Sequence, residues 1–136
     1  MSKELSGIKY VSIEKKYLPA IINLCRVENW PSYIKDPEFT WRVLTAPGVT
    51  TMVAVDSDKV VGFAQMQSDG FIQAHLSLIL VDKDYRRQGI GTRLVKEAFA
   101  RRGGKRIDLT TSDMLDFYRS FNHKKRFGFR IHPQYD

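Results

Sequence analysis

The sequence YRRQGIGTRL, residues 85–94, places two closely spaced glycines and several arginines directly before a stretch with helical periodicity. Glycines let a backbone approach a ligand closely, and the first amides of a helix have no partner within that helix. Together with the helix dipole, such amides form a binding site for an anion such as a pyrophosphate. We therefore expect a phosphorylated ligand at Gly89 and Gly91, with a basic loop that only caps a helix as the alternative.

Two other phosphate-binding patterns do not fit this stretch. A dinucleotide-binding turn requires G-x-G-x-x-G, and Leu94 stands where the third glycine would be. A P-loop requires G-x-x-x-x-G-K-[ST], whereas Gly104 and Lys105 are followed by Arg106. The sequence therefore excludes both of these classes of nucleotide site.

The elements around this turn predict an α+β fold. Alternating apolar residues predict strands, and apolar residues three and four positions apart predict helices. Strands are expected at residues 8–13, 50–55, 60–66, 71–81, 106–111 and 127–131, and helices at 18–28, about 36–46, 89–103 and 112–121. Ser112 is the expected N-terminal cap of the last helix. Hairpins that feed a strand–helix–strand unit indicate a mixed sheet and not an all-parallel one.

Length, charge and cysteine content limit the classes of function. A chain of 136 residues has the size of one domain, and we expect one domain over residues 1–136. No apolar run approaches the length of a membrane span, and the polar N-terminus lacks the core of a signal peptide, so we expect a cytoplasmic protein without membrane contact. Cys25 is the single cysteine and is expected to fill the core. The net charge of +7 indicates an anionic partner, without choosing between a cofactor, nucleic acid and an acidic surface.

The segment LILVDKDYRRQGIGTRLVKEA resembles the acetyl-CoA-binding segment of the GNAT N-acetyltransferase superfamily, whose pattern is [QR]-x-x-G-x-[GA] after an apolar strand. Arg86, Gly89 and Gly91 match its three fixed positions, and the order of elements agrees along nearly the whole chain. The resemblance implies a GNAT-like fold: a mostly antiparallel sheet that splays at a parallel strand pair, with helices on both faces. It also implies acetyl-CoA as the acyl donor, an amine on a small molecule or peptide as the acceptor, and no metal.

The same resemblance assigns residues that contact the coenzyme. Backbone at the end of the strand before the motif would hold pantetheine, and an N–H near Leu80 or Val81 would stabilise the oxyanion. Amides from Arg87 to Thr92 would bind the pyrophosphate, and Ser112 stands where relatives often have an asparagine. Arg93 is either part of this site or a solvated helix residue. The expected coenzyme set is Ile79, Leu80, Val81, Arg86, Arg87, Gln88, Gly89, Ile90, Gly91, Thr92 and Ser112.

Tyr118 is the residue that the resemblance assigns as general acid, because it matches the tyrosine of the family's FY pair. The chain departs from the family here: the usual FYxxxGF is replaced by FYRSFNHKKRFGF, which leaves the register of Tyr118 open. The general base is His75, Glu28 or an ordered water, since histidine exchanges protons near neutral pH. Glu28 could instead form an acidic, aromatic cradle for a cationic amine with Trp30 and Tyr33, or the two aromatic residues could simply pack the turn.

Two other classes of function remain open on the sequence. One is a non-catalytic module that binds acyl-CoA on the same fold. The other is a basic nucleic-acid-binding protein, although no recognisable nucleic-acid motif supports it and we expect no nucleic-acid partner. A homodimer is possible with either an enzyme or a binding module.

Overall fold

The structure is a computed structural model that describes residues 7–134. Residues 1–6 and 135–136 lie outside the described residues. They include both ends of the expected domain 1–136 and the beginning of the polar N-terminus. Within residues 7–134, no helix has the length and apolar character needed to cross a membrane.

Five strands form one sheet in the order β1-β2-β3-β4-β5. The first three pairings are antiparallel, and β4 pairs with β5 in parallel. The mixed sheet predicted from the sequence is therefore confirmed, including its single parallel pair. The strands are Ile8–Ser12 (β1), Val49–Asp56 (β2), Lys59–Ser68 (β3), Gln73–Val81 (β4) and Arg106–Asp108 (β5).

Residues 7–134 contain four α-helices: three lie between strands, and the fourth follows β5. Asp36 starts the second helix by accepting a hydrogen bond from the amide of Phe39, and Pro37 occupies its first turn, where a missing N–H costs nothing. Short 3₁₀ turns at residues 15–17, 31–33 and 83–85 complete the connections. The helices are Leu18–Val27 (α1), Pro37–Leu44 (α2), Ile90–Arg102 (α3) and Leu115–Arg119 (α4).

Alternating side chains divide the interior into two cores, one on each face of the sheet. Met52 of β2 packs in one core with Leu94 of α3. Its neighbour Val53 packs in the other with Cys25 of α1 and Leu44 of α2. Helices therefore cover both faces, as expected. Burial raises the pKa of the Cys25 thiol to about 11, which fits the predicted role as unreactive core.

A bulge in β4 changes which residues face each core. The register with β3 runs from Gln65 opposite Leu78 to Met66 opposite Leu76, so Ser77 is the extra residue. As a result Leu76 and Ile79, three positions apart, belong to the α3 core. The resemblance to the GNAT superfamily implies a bulge where the parallel pair splays, but the sequence does not locate it at Ser77. The bulge reorients β4 at the level where the sheet opens.

The parallel pair between β4 and β5 is short. Its ladder ends with His75 opposite Asp108, whereas β4 continues to Val81. Within residues 7–134 no strand pairs with β4 on this side beyond His75. The sheet is therefore open along residues 76–81, at the start of α3.

The C-terminal part of the chain departs from the sequence prediction in three respects. The strand predicted at 106–111 ends at Asp108, and the helix predicted at 112–121 covers only Leu115–Arg119. Ser112 does not cap this helix; the Thr111 hydroxyl instead accepts a hydrogen bond from the amide of Met114. The cap prediction was wrong because the chain passes through a bend before the helix begins.

The strand predicted at residues 127–131 does not form. Phe127, Phe129 and Ile131 are 100%, 90% and 82% exposed, although their alternation is typical of a half-buried strand. The segment passes Thr110 so closely that a Cβ at Gly128 would lie 2.6 Å from the Thr110 methyl group, yet it forms no ladder. Alternation produces a strand only where an apolar surface is available to cover one face, and none of the described residues provides it.

Candidate active site

The glycine-rich turn joins the end of β4 to the start of α3. Asp82 begins it by accepting a hydrogen bond from the amide of Asp84, and the Tyr85 hydroxyl fixes it to β2 through Asp56 at 2.7 Å. Arg87 and Gly89 then take left-handed backbone conformations, with φ of 62° and 85°. These two residues form the turn that leads into α3.

The first turn of α3 offers donors and space. The amide of Arg93 donates to the Gly89 carbonyl, but those of Gly91 and Thr92 have no acceptor among residues 7–134. A Cβ placed on Gly89 would have no atom within 4 Å. Amides that have no acceptor in the described chain, with open space beside them, suit the binding of a pyrophosphate. Gln88 adds a buried side-chain oxygen that has no hydrogen-bond partner among residues 7–134.

The arginines of this turn differ in their contacts. Arg86 donates from Nε to the Val81 carbonyl at 3.0 Å and from Nη2 to Glu28 at 2.7 Å. Arg93 is paired with Glu97 at 2.9 Å, so it belongs to the surface of α3. Arg87 has no carboxylate partner among the described residues. It is therefore the arginine most available to an anionic ligand.

The Glu28–Arg86 ion pair changes how Glu28 is interpreted. Glu28 was a candidate base and part of a candidate amine cradle, and the structure instead uses its carboxylate to tie the end of α1 to the glycine-rich turn. Tyr33 is engaged elsewhere, since its hydroxyl donates to Gln65 Oε1 at 2.6 Å. Trp30 is 41% exposed between them. Glu28 thus contacts the turn that follows β4, whereas Tyr33 contacts β3.

Two aromatic residues of α4 lie beside the opening in the sheet. A Cβ on Gly91 would be 3.0 Å from the Phe117 ring and 3.7 Å from Ile79, so Phe117 packs between α3 and β4. Tyr118 contacts Phe117 edge to face at 4.9 Å. Burial, with a smaller contribution from Asp113, raises the pKa of Tyr118 to about 12, which keeps its phenol protonated at neutral pH. The Tyr118 hydroxyl has no hydrogen-bond partner in the part of the chain described, whereas Ser112 is exposed in the bend before α4.

Polar side chains on the α1 and α2 face form a part of the site that sequence reasoning missed. Gln65 of β3 accepts the Tyr33 hydrogen bond, and Gln67, two residues on, donates from Nε2 to the Ser77 hydroxyl at 3.0 Å. His75 lies opposite Gln67 in the β3–β4 register and lines a pocket with it. The signal was present in the sequence: two glutamines two positions apart in an otherwise apolar strand share one face.

The turn, the opening and the order of elements can now be compared with known proteins. The sequence matches the family described as Acetyltransferase (GNAT) family over residues 15–129. The chain belongs to the GNAT acetyltransferase family. It is therefore an acyltransferase, as the resemblance implied. None of the curated proteins matches the sequence significantly.

Solved structures agree with the GNAT assignment. A protein of Deinococcus radiodurans R1 described as an acetyltransferase shares 26% identity, with a TM-score of 0.77 over 94% of this chain and 90% of that one. A GNAT-family protein of Streptococcus pneumoniae TIGR4 shares 25%, with a TM-score of 0.70 over 92% and 96%. An aminoglycoside acetyltransferase from an uncultured soil metagenomic sample, in complex with sisomicin, shares 22%, with a TM-score of 0.71 over 93% and 97%. At 22% identity the likeness shows the fold alone.

The three residues of this GNAT chain that match the family motif have different structural roles. Arg86 fixes the turn through Val81, Gly89 leaves the space above the amides empty, and Gly91 admits the Phe117 ring. No group of three or more histidine, cysteine, aspartate or glutamate residues within 7–134 is arranged to hold a metal ion.

Proposed function

We propose that this protein transfers an acetyl group from acetyl-CoA to a primary amine by direct attack of the amine on the thioester. The observation that carries the proposal is the start of α3, where the amides of Gly91 and Thr92 have no acceptor among residues 7–134 and follow Gly89, beside which there is open space. An anion of the size of a pyrophosphate suits these donors, and the opening of the sheet along β4 lies directly beside them.

The chain's own residues divide the binding of the donor. The amides of the Arg87–Thr92 turn bind the pyrophosphate, and the guanidinium of Arg87, which has no carboxylate partner among residues 7–134, adds a positive charge in the same turn. Backbone of β4 at Ile79, Leu80 and Val81 binds pantetheine along the open edge, and one of its N–H groups stabilises the developing oxyanion. When bound, acetyl-CoA supplies an activated carbonyl and a thiolate leaving group.

Proton transfers accompany the attack. An alkylamine with a pKa of about 10.4 is mostly protonated at neutral pH and must lose a proton before it attacks. Glu28 is paired with Arg86, so His75 or an ordered water takes this proton. Tyr118 hydrogen-bonds the departing sulfur and protonates it, because burial keeps its phenol neutral until the thiolate forms.

Release of free coenzyme A thiol tests the proposal. The protein is supplied with acetyl-CoA and a panel of alkylamines, amino sugars and peptides, and thiol is measured together with the mass of each product. We expect thiol release that depends on the amine, and a product heavier by one acetyl group. If acetyl-CoA raises the melting temperature but no amine releases thiol, the protein is a non-catalytic acyl-CoA-binding module and the proposal is wrong.

A further inference from the structure

A pocket of about 450 Å³ lies at the end of β4 opposite to the glycine-rich turn. The turn between α2 and β2 forms one wall, and the ends of β3 and β4 form the other. The polar residues that matter for what it binds are Gln67, Asp69, Gln73 and His75. Of these four residues, only His75 has a role in the proposed acetyl transfer.

The hydrogen bonds already made by these residues leave mostly acceptors free. Gln73 donates one N–H of Nε2 to the carboxylate of Asp108 at 3.1 Å, which leaves Oε1 as an acceptor and the second N–H as a donor. Gln67 likewise uses Nε2 in its bond to Ser77. Asp69 accepts three backbone amides on Oδ1, from residues 71, 72 and 73, which leaves Oδ2 open. A ligand rich in hydrogen-bond donors is the complement of such a pocket.

The charge of the pocket indicates the sign of the ligand. Hydrogen bonds from the amides of Phe71 and Ile72 lower the pKa of Asp69, so its carboxylate is ionised at neutral pH. Arg106 and Asp108 form an ion pair at 3.2 Å and offset one another. The pocket therefore carries a carboxylate in a chain whose net charge is +7. A cation with several N–H donors fits it, and an anion does not.

The pocket also lies at the right end of the opening for the acceptor. His75 precedes the Ser77 bulge by two residues, which is about 7 Å along a strand. The amide of Asp69 donates to the carbonyl of Gln73, so Asp69 lies beside Gln73. Because Gln73 precedes His75 by two residues, Asp69 is about another 7 Å along the strand from His75. An acceptor whose reacting amine lies beside His75, where the opening begins, can thus place a second group about 7 Å away, against Asp69.

We propose that this pocket binds the acceptor and selects primary amines that carry a second ammonium or another donor group several atoms away. The proposal rests on the proposed acetyl transfer. His75 takes a proton from the reacting ammonium, and the neutral amine forms the N–C bond to give a tetrahedral intermediate with an oxyanion. The oxyanion then re-forms the carbonyl as the C–S bond breaks. Tyr118 protonates the sulfur and regains a proton from the nitrogen, and His75 releases its proton to solvent. Asp69 holds the far end and takes no part in the proton transfer.

Three amines of equal chain length test this selection. Butylamine, 1,4-diaminobutane and 4-aminobutanoate share the reacting amine and differ only in the group at the far end. Calorimetric titration of the protein saturated with coenzyme A measures their binding without turnover. We expect 1,4-diaminobutane to bind on the order of tenfold more tightly than butylamine, and 4-aminobutanoate to bind most weakly.

Asp69→Asn removes the charge and retains an Oδ1 that can accept the backbone amides. The variant should bind 1,4-diaminobutane no more tightly than butylamine, whereas Asp58→Asn, in the exposed turn between β2 and β3, should keep the wild-type order. In the wild type, the preference should also decrease with added salt, a result that does not depend on any variant folding. Equal binding of the three amines, or a preference that survives Asp69→Asn, would overturn the proposal.

The same titrations separate this proposal from the proposed function. Selective binding of 1,4-diaminobutane without thiol release would support the pocket and contradict acetyl transfer. Thiol release with butylamine and 4-aminobutanoate as readily as with 1,4-diaminobutane would support acetyl transfer and overturn the assigned acceptor class.

Discussion

The two ends of β4 offer opposite chemistry to a ligand. At the C-terminal end, beyond Val81, the chain presents backbone N–H donors and the guanidinium of Arg87, which has no carboxylate partner among residues 7–134. At the N-terminal end, around His75, it presents side-chain acceptors and the carboxylate of Asp69. One strand with a bulge between these ends can therefore bring an anionic donor and a cationic acceptor to the same opening while keeping their charges apart. If the two ends bind their ligands separately, a change at one end should leave binding at the other end unaltered.

The largest effect is expected from Tyr118→Phe, at the opening between the two ends. Loss of the phenol should lower kcat by about 100-fold, the lower range for a general acid, because the thiolate then leaves unprotonated. The affinity for acetyl-CoA should change little, since the ring and its contact with Phe117 are retained. Tyr17→Phe, on the α1 face, is the control and should keep the wild-type kcat. A Tyr118→Phe enzyme with unchanged kcat would contradict the assigned role.

Gly89→Ala should damage the C-terminal end of β4 alone. A methyl group there enters the space above the α3 amides, and we expect about a tenfold loss of acetyl-CoA affinity. The positive φ of 85° adds a stability cost of about 1 kcal/mol. Gly103→Ala is the matched control, since Gly103 also has a positive φ, of 82°, and open space, at the other end of α3. Calorimetry should show weaker acetyl-CoA binding only for Gly89→Ala; equal losses in both variants would mean that backbone strain and not the site is responsible.

Glu28→Gln should have a smaller effect, because it weakens a partly exposed ion pair. Arg86 keeps its bond to the Val81 carbonyl, so the turn should remain formed while α1 is held less firmly against it. We expect a change of about threefold in the Kd for acetyl-CoA and a stability loss below about 1 kcal/mol. If Glu28 were the general base, kcat would fall by two or more orders of magnitude, and steady-state kinetics would show it.

The smallest predicted effect concerns acid stability at the N-terminal end. The folded state lowers the pKa of Asp69 below its ordinary 3.8, so the ionised form is favoured by folding. The resulting stability is present above that value and is lost as the pH falls through the lower folded value. As the pH falls below about 4, the wild type should therefore lose more stability than Asp69→Asn. Parallel unfolding curves for the two proteins over this range would show that the turn does not depend on the charge.

The two ends also differ in how well the sequence predicts them. The glycine-rich turn was predicted correctly because it is local: Arg86, Gly89 and Gly91 lie within six residues and are followed by a helix with clear periodicity. The pocket at the other end was not predicted, because Gly48 and His75 meet only through the antiparallel register and the bulge at Ser77. No local signal identifies the residue at which a strand bulges.

Long-range contacts explain the other departures from prediction. Glu28 and Arg86 are 58 residues apart, and nothing near either one indicates that they pair. The segment from Phe127 to Ile131 has the alternation of a strand, but strand formation depends on a surface to cover it, which is a property of the folded chain. The spacing of apolar residues predicts the hairpins, α3 and the faces of the sheet that helices cover. It does not predict the edges of the sheet.

The most direct test of two separate ends is an NMR titration of the ¹⁵N-labelled protein. Coenzyme A should shift the backbone amide signals of residues 87–92, and 1,4-diaminobutane should shift those near Asp69, Gln73 and His75 when added to the coenzyme-bound protein. Each ligand should leave the other end's signals close to their starting positions. If both ligands shift the same set of amides, or if coenzyme A leaves the amides of Gly89, Gly91 and Thr92 unmoved, the assignment of donor and acceptor to the two ends of β4 is wrong.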